Sequence, residues 1–226
     1  MDASRVVELP ELHDRVRVFH DRADAGAVLA RMLAGALAPP ALVLAIPAGG
    51  VPVAAVIAAT LGLPLDLAVV SKVLLPWDTE AGYGAVAFDG TARLNEPLVA
   101  ALGLERAVVE AGLAATRQRV ARRVETLRAG RPFPDLATRE ALLVDDGLAS
   151  GFTMRVAVEA LRRAGARTVR VAVPTGHLEA VARLAPTVET LYCANIRAGR
   201  RFAVADAYRR WTDVDEAEVR RELARD

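Results

Sequence analysis

The chain has 226 residues, 53% of them hydrophobic and 25% charged, with a formal net charge of +1. That length buries a substantial core, and the charge balance gives no global pull toward nucleic acid or a membrane surface. The single cysteine, Cys193, excludes an internal disulfide and lies in an apolar run, as expected of a core thiol in a reducing compartment. Met1 to Pro10 is charged and lacks the apolar core of a signal peptide, and no apolar stretch reaches membrane-spanning length without a charge or a Pro/Gly break. The expectation is a cytoplasmic protein with no membrane partner and no nucleic-acid partner.

In chain order, Asp21 to Leu37 reads as a helix with Val28, Leu29, Met32, Leu33 and Ala36 on one face. Ala41 to Ile46 is a continuous apolar run, the pattern of a strand covered on both sides. Pro47-Ala48-Gly49-Gly50 breaks it, and Val51 to Leu61 resumes as a helix. Pro64 to Ser71 is a second apolar strand, interrupted by Asp66. After Lys72 the residues from Pro76 to Ala85 are mixed, turn-rich and bracketed by glycines, which reads as a mobile flap. Leu104 to Ala129 is a long helix. Arg117, Arg119, Arg122, Arg123 and Arg128 make one face basic and solvated, while Val108, Val120, Val124 and Leu127 face the body. Gly130 ends that helix and opens the linker through Pro134. Ala141 to Val144, Thr168 to Val173 and Val188 to Cys193 complete five strands, with a helix over Arg155 to Ala164. This alternation predicts an α/β fold, a doubly wound, mostly parallel five-stranded sheet in a single domain. Phe202, Tyr208 and Trp211 precede a terminal helix, Val214 to Leu223, and fit packing of that helix better than stacking on a ligand. His13, His20 and His177 share no metal-like spacing.

The most informative stretch is Ala141 to Met154. Four apolar residues end in Asp145 and Asp146; then come Gly147, Leu148, Ala149, Ser150, Gly151, Phe152 and Thr153, and an amphipathic run. That is a buried strand, a turn at its carboxyl end and a helix start, the place where open α/β sheets bind ligands. Gly147 and Gly151 allow close backbone approach, Ser150 and Thr153 offer hydroxyls, and the free N–H groups of the first helical turn attract an anion. The two carboxylates repel a phosphate and suit a sugar diol or its metal ion. An ordinary turn with Asp146 as a cap needs only one carboxylate. A P-loop is excluded because no Lys follows the second glycine.

Residues 141–154 resemble the phosphoribosyl pyrophosphate signature of the type I phosphoribosyltransferases, and the branch of that family with uncharacterised members fits best. Pro47-Ala48-Gly49-Gly50-Val51-Pro52-Val53-Ala54 is similar to that branch's Pro-Arg-Gly-Gly-Val-Pro-Val-Ala, with Ala48 in place of the arginine. Lys72, Pro76, Glu80, Gly84 and Ala85 match its flap. The resemblance implies a Mg2+-dependent transfer of the phosphoribosyl group to an acceptor, with pyrophosphate released. It implies that Asp145 and Asp146 engage the ribose hydroxyls and, through them and water, the metal. Gly147, Ala149, Ser150, Gly151, Phe152 and Thr153 would then hold the 5′-phosphate. Ala48, Gly49 and Lys72 would hold pyrophosphate, while Lys72 and Glu80 act in catalysis. Ala149 stands where enzymes acting on 6-oxopurines carry an Asp, which points away from hypoxanthine or guanine and leaves a nucleobase, amine or hydroxyl as acceptor. The family's hood, outside a core of about 21–193, falls to residues 1–20, 86–103 or 194–226. A homodimer is left open. The alternative function is a non-catalytic sensor of phosphoribosyl pyrophosphate with the same fold, which loss of the Ala48-position cation favours.

Overall fold

A computed structural model describes residues 5–78 and 81–224. The central sheet contains β1 (Val6–Val7), β2 (Ala41–Ala45), β3 (Leu65–Leu67), β7 (Glu140–Val144), β8 (Val169–His177) and β9 (Thr190–Arg197), in the order β1-β9-β8-β7-β2-β3. All its pairings are parallel. A second sheet is an antiparallel meander of β4 (Val70–Leu74), β5 (Gly82–Ala87) and β6 (Ala92–Leu94). The helices are α1 (Arg22–Leu33), α2 (Gly50–Leu61), α3 (Glu96–Ala101), α4 (Arg106–Arg128), α5 (Phe152–Arg163), α6 (Leu178–Leu184) and α7 (Glu216–Leu223).

The parallel sheet is covered on both faces, which is why its strands read as unbroken apolar runs. Val43 and Ala45 of β2 point into a core shared with α1, α2, α4 and α7. Leu42, Leu44 and Ile46 point into the opposite core, with α5 and α6. The central strands β2 and β7 run in register, Ala41 beside Glu140 through Ala45 beside Val144. From β2 the chain crosses to β3 through α2; from β7 it crosses to β8, on the other side, through α5. The crevice outside the carboxyl ends of β2 and β7 is therefore the switch point of the sheet.

The structure differs from the sequence expectation at several points. The sheet has six strands, because Val6–Val7 pairs with Leu191 and Tyr192 at the edge. The apolar run from Pro64 to Ser71 is two strands in two sheets: Leu65–Leu67 extends the parallel sheet, and after Ala68 and Val69 the chain leaves it to begin β4. The end of the expected flap, Gly82 to Ala85, belongs to β5. Gly82 and Gly84 serve packing, since a Cβ at Gly84 would stand 2.8 Å from the Arg93 carbonyl oxygen. Ahead of β5, the Leu75 N–H donates to the Ala81 carbonyl at 3.0 Å.

Arg128 does not lie on a solvated face. It is buried, donates to the Asp66 carboxylate at 2.5 and 3.1 Å, and lies 5.1 Å from the Phe133 ring centre. The charge that interrupts the second apolar run is thus the partner of the last residue of α4. Val109, rather than Val108, is buried on that helix beside Val120 and Leu127. Helix α1 stops at Leu33 ahead of Gly35, whose φ is +72°. Helix α5 starts three residues earlier than its amphipathic run, because Gly151 at φ +72° is its N-cap. Among the described residues no helix is long and apolar enough to cross a membrane.

Candidate functional site

Two loops leave the switch point side by side. The first, Pro47 to Gly49, joins β2 to α2, and the peptide between Pro47 and Ala48 is cis. The second, Asp145 to Gly151, joins β7 to α5. Their approach depends on glycine. A Cβ at Gly50 would stand 2.7 Å from the Val144 carbonyl oxygen, and one at Gly49 would stand 2.7 Å from Asp146 Cγ.

The second loop is held at both ends. Leu148 N–H donates to the Thr175 carbonyl and His177 N–H to the Leu148 carbonyl, each at 2.9 Å, fixing the loop to the end of β8. Gly147 abuts Val204, where a Cβ would stand 2.7 Å from Cγ2. Ser150 Oγ accepts from the Phe152 N–H at 3.3 Å. Among the described residues no acceptor takes the N–H groups of Ala149, Ser150, Gly151, Thr153 or Met154. At the start of a twelve-residue helix they form a ready anion cradle.

The two carboxylates sit at the base of this cradle in different surroundings. Asp145 Oδ1 accepts from the Asp146 N–H at 2.9 Å. Burial, and then the charge of Asp146, push its carboxyl well above the usual carboxylate range. Burial also raises the Asp146 carboxyl, but the Arg22 guanidinium opposes that rise. Arg22 Nε and Nη2 each lie 2.9 Å from Asp146 Oδ2. The Tyr208 hydroxyl donates to the Asp146 carbonyl at 2.6 Å.

Both carboxylates, the loop residues through Met154, Ile46, Pro47, Val70, Lys72 and Val204 line one cleft of about 290 Å³. The structure therefore brings together Lys72, Asp145, Asp146, Gly147, Ala149, Ser150, Gly151, Phe152 and Thr153 from two separate segments of the chain. Lys72 reaches it from β4 and contributes positive charge near Asp145. Ala48 and Gly49 do not line this cleft; Gly49 packs on the Asp146 carboxylate instead. Glu80 lies outside the described residues. A larger groove of about 1110 Å³, between β6–α3 and α5, shares Ser150 and Phe152 with the cleft.

Sequence reasoning missed Arg22, Tyr208 and Val204. For Arg22 a signal exists: a cation at the first position of a helix opposes the helix dipole, so its guanidinium has a use elsewhere. Tyr208 is not merely packing for a terminal helix, although it also lies 5.1 Å from Trp211 and 5.7 Å from Phe19.

No group of three or more His, Cys, Asp or Glu capable of holding a metal occurs among the described residues. Two adjacent carboxylates nevertheless suit Mg2+ in its usual manner, in which one or two carboxylates and several waters complete a shell begun by substrate oxygens.

A family profile for the phosphoribosyl transferase domain matches residues 24–193. The chain belongs to the phosphoribosyltransferase family. Proteins from two Mycobacterium tuberculosis strains, each provisionally named a phosphoribosyl transferase, are 38% identical to it over 204 residues. The match covers 90% of this chain and 46% of each relative, so the chain spans about half their length. A crystal structure of a protein from Thermus thermophilus is similar at 34% identity and a TM-score of 0.73, covering 91% of this chain and 97% of that one. The match thus runs from α1 to β9, and both loops of the cleft lie inside it.

Proposed function

We propose that this phosphoribosyltransferase transfers a 5-phosphoribosyl group from phosphoribosyl pyrophosphate to a small-molecule acceptor, releasing pyrophosphate. One observation carries the reading: a carboxylate pair stands directly beside an unpaired N–H cradle at a helix N-terminus, at the sheet's switch point. A 5′-phosphate suits the cradle, and the neighbouring ribose diol suits the carboxylates, with each charge-assisted hydrogen bond contributing roughly 1.5–3 kcal/mol. Lys72, from β4, lines the same cleft and would neutralise the departing pyrophosphate. Bound Mg2+ would neutralise pyrophosphate oxygens, and Asp145 and Asp146 would hold it indirectly, through ribose hydroxyls and water. Displacement at the sugar passes through an oxocarbenium-like state that water would intercept, so a cover is needed during reaction. By the family resemblance, the segment after Lys72 that carries Glu80 would supply that cover.

The acceptor is a nucleobase, an amine or a hydroxyl. Ala149, in the position where 6-oxopurine enzymes carry an Asp, argues against hypoxanthine and guanine. Ala48 favours a second reading, a sensor of phosphoribosyl pyrophosphate, because it supplies no cation to the pyrophosphate loop. Pyrophosphate release measured with Mg2+, phosphoribosyl pyrophosphate and pooled acceptors distinguishes the two. Release that depends on an acceptor supports the enzyme. Tight donor binding with no release across bases, amines and hydroxyls supports the sensor.

A further inference from the structure

Arg22 is a buried guanidinium whose side chain is 9% exposed, at the first turn of a helix that lends no residue to the lining of the cleft. Its Nε donates to Asp146 Oδ2 at 2.9 Å, and Nη2 lies in ion-pair contact with the same oxygen at 2.9 Å. Nη1 donates to the Thr212 carbonyl at 2.7 Å. Its central carbon lies 3.8 Å from the centre of the Trp211 ring. The guanidinium is thus fixed by the C-terminal segment on one side and fixes a carboxylate on the other. Because both contacts fall on Oδ2, Oδ1 is left to other donors. The backbone of Asp146 is held in turn by the Tyr208 hydroxyl, four residues before Thr212.

We infer that Arg22, backed by Trp211 and the Thr212 carbonyl, is the positioning residue of the ribose site: it fixes the Asp146 carboxylate so that Oδ1 meets the sugar hydroxyls. The inference rests on the donor-site reading above and assigns a working role to the segment after β9. Arginine is required because its fork meets the carboxylate, a carbonyl and an aromatic face at once; lysine offers one point charge. The inference concerns only the sugar, since Arg22 does not line the cleft that holds the N–H cradle and Lys72.

The test is competitive binding of ribose 5-phosphate, its 2-deoxy and 3-deoxy analogues, and inorganic phosphate to the native protein and to Arg22→Ala, Arg22→Lys and Trp211→Ala. A hydroxyl bound by a charged carboxylate is worth about tenfold or more in affinity. The native protein is expected to bind at least one deoxy analogue about tenfold more weakly than ribose 5-phosphate. In Arg22→Ala that ratio falls below about threefold while phosphate affinity stays within about twofold. Arg22→Lys gives an intermediate ratio. Trp211→Ala, which removes a ring 38% exposed, lowers the ratio by about two- to threefold, with the fold checked by circular dichroism. A native ratio that survives both Arg22→Ala and Trp211→Ala overturns the inference alone. Equal losses for phosphate and ribose 5-phosphate overturn it in favour of a purely structural ion pair. A native protein that does not distinguish ribose 5-phosphate from phosphate overturns the donor-site reading, and the inference with it.

Discussion

Gly49→Ala perturbs the junction of the two loops by one methyl group. The added Cβ would stand 2.7 Å from Asp146 Cγ, with one carboxylate oxygen closer still. Asp146 cannot readily swing away, because Arg22 grips its carboxylate and Tyr208 its carbonyl. Either the first loop lifts or the Arg22–Asp146 pair opens. Overpacking of this kind costs about 1–3 kcal/mol of stability, which in a domain of this size is a fall of several degrees in Tm. Displacing Asp146 removes one charge-assisted contact to the sugar, about 1.5–3 kcal/mol, or roughly ten- to a hundredfold in donor affinity. Gly199→Ala is the control, since its nearest neighbour would be the Arg201 carbonyl oxygen at an ordinary 3.7 Å. Calorimetric titration of phosphoribosyl pyrophosphate with Mg2+ and thermal unfolding of both variants provide the readout. Donor affinity in Gly49→Ala within twofold of native refutes the argument that the two loops meet at the sugar site.

Other outcomes follow from the same geometry. Asp145 has its carboxyl raised by burial and by Asp146, so folding is favoured below the ordinary carboxylate pKa and that advantage is lost as pH rises through the raised one. Asp145→Asn in metal-free buffer should therefore add on the order of 1 kcal/mol of stability at neutral pH, read as a raised Tm, with the gain vanishing toward pH 4 in a thermal-unfolding pH series. Gly151→Val places a branched residue at φ +72° at the start of α5; it should abolish ribose 5-phosphate binding in calorimetry, with helical circular dichroism largely retained. Arg128→Ala leaves the half-buried Asp66 without its buried partner and should cost about 3–5 kcal/mol in denaturant unfolding, most of it recovered when Asp66→Asn is added. Lys72→Ala should slow pyrophosphate release, in a coupled assay, far more than it weakens binding of ribose 5-phosphate, which lacks the group that the lysine faces.

What was legible in the sequence is what is encoded locally. The strand, the acidic pair, the glycine loop and the helix start occur within Ala141 to Met154, and each residue type there has a local physical reason. The run from Pro64 to Leu74 was harder. Its hydrophobicity is continuous, and nothing in periodicity marks Ala68 and Val69 as the step between two sheets. The extra edge strand was invisible because two valines make no pattern. Gly82 and Gly84 suggested a loop because glycine reports backbone freedom and close packing with the same letter. Arg22 pairs with a residue 124 positions away, and Arg128 with one 62 positions away. Burial of a cation depends on a distant carboxylate, so a helical face rich in arginine reads as solvated until the tertiary fold is known.

The measurement that bears most directly on the donor site is calorimetric titration of phosphoribosyl pyrophosphate, in Mg2+, into the native protein and into Asp145→Asn/Asp146→Asn. Two charge-assisted contacts at roughly 1.5–3 kcal/mol each predict a loss of more than a hundredfold in the double variant, with the fold intact by circular dichroism. Unchanged affinity in that variant contradicts the assignment of the acidic pair to the ribose.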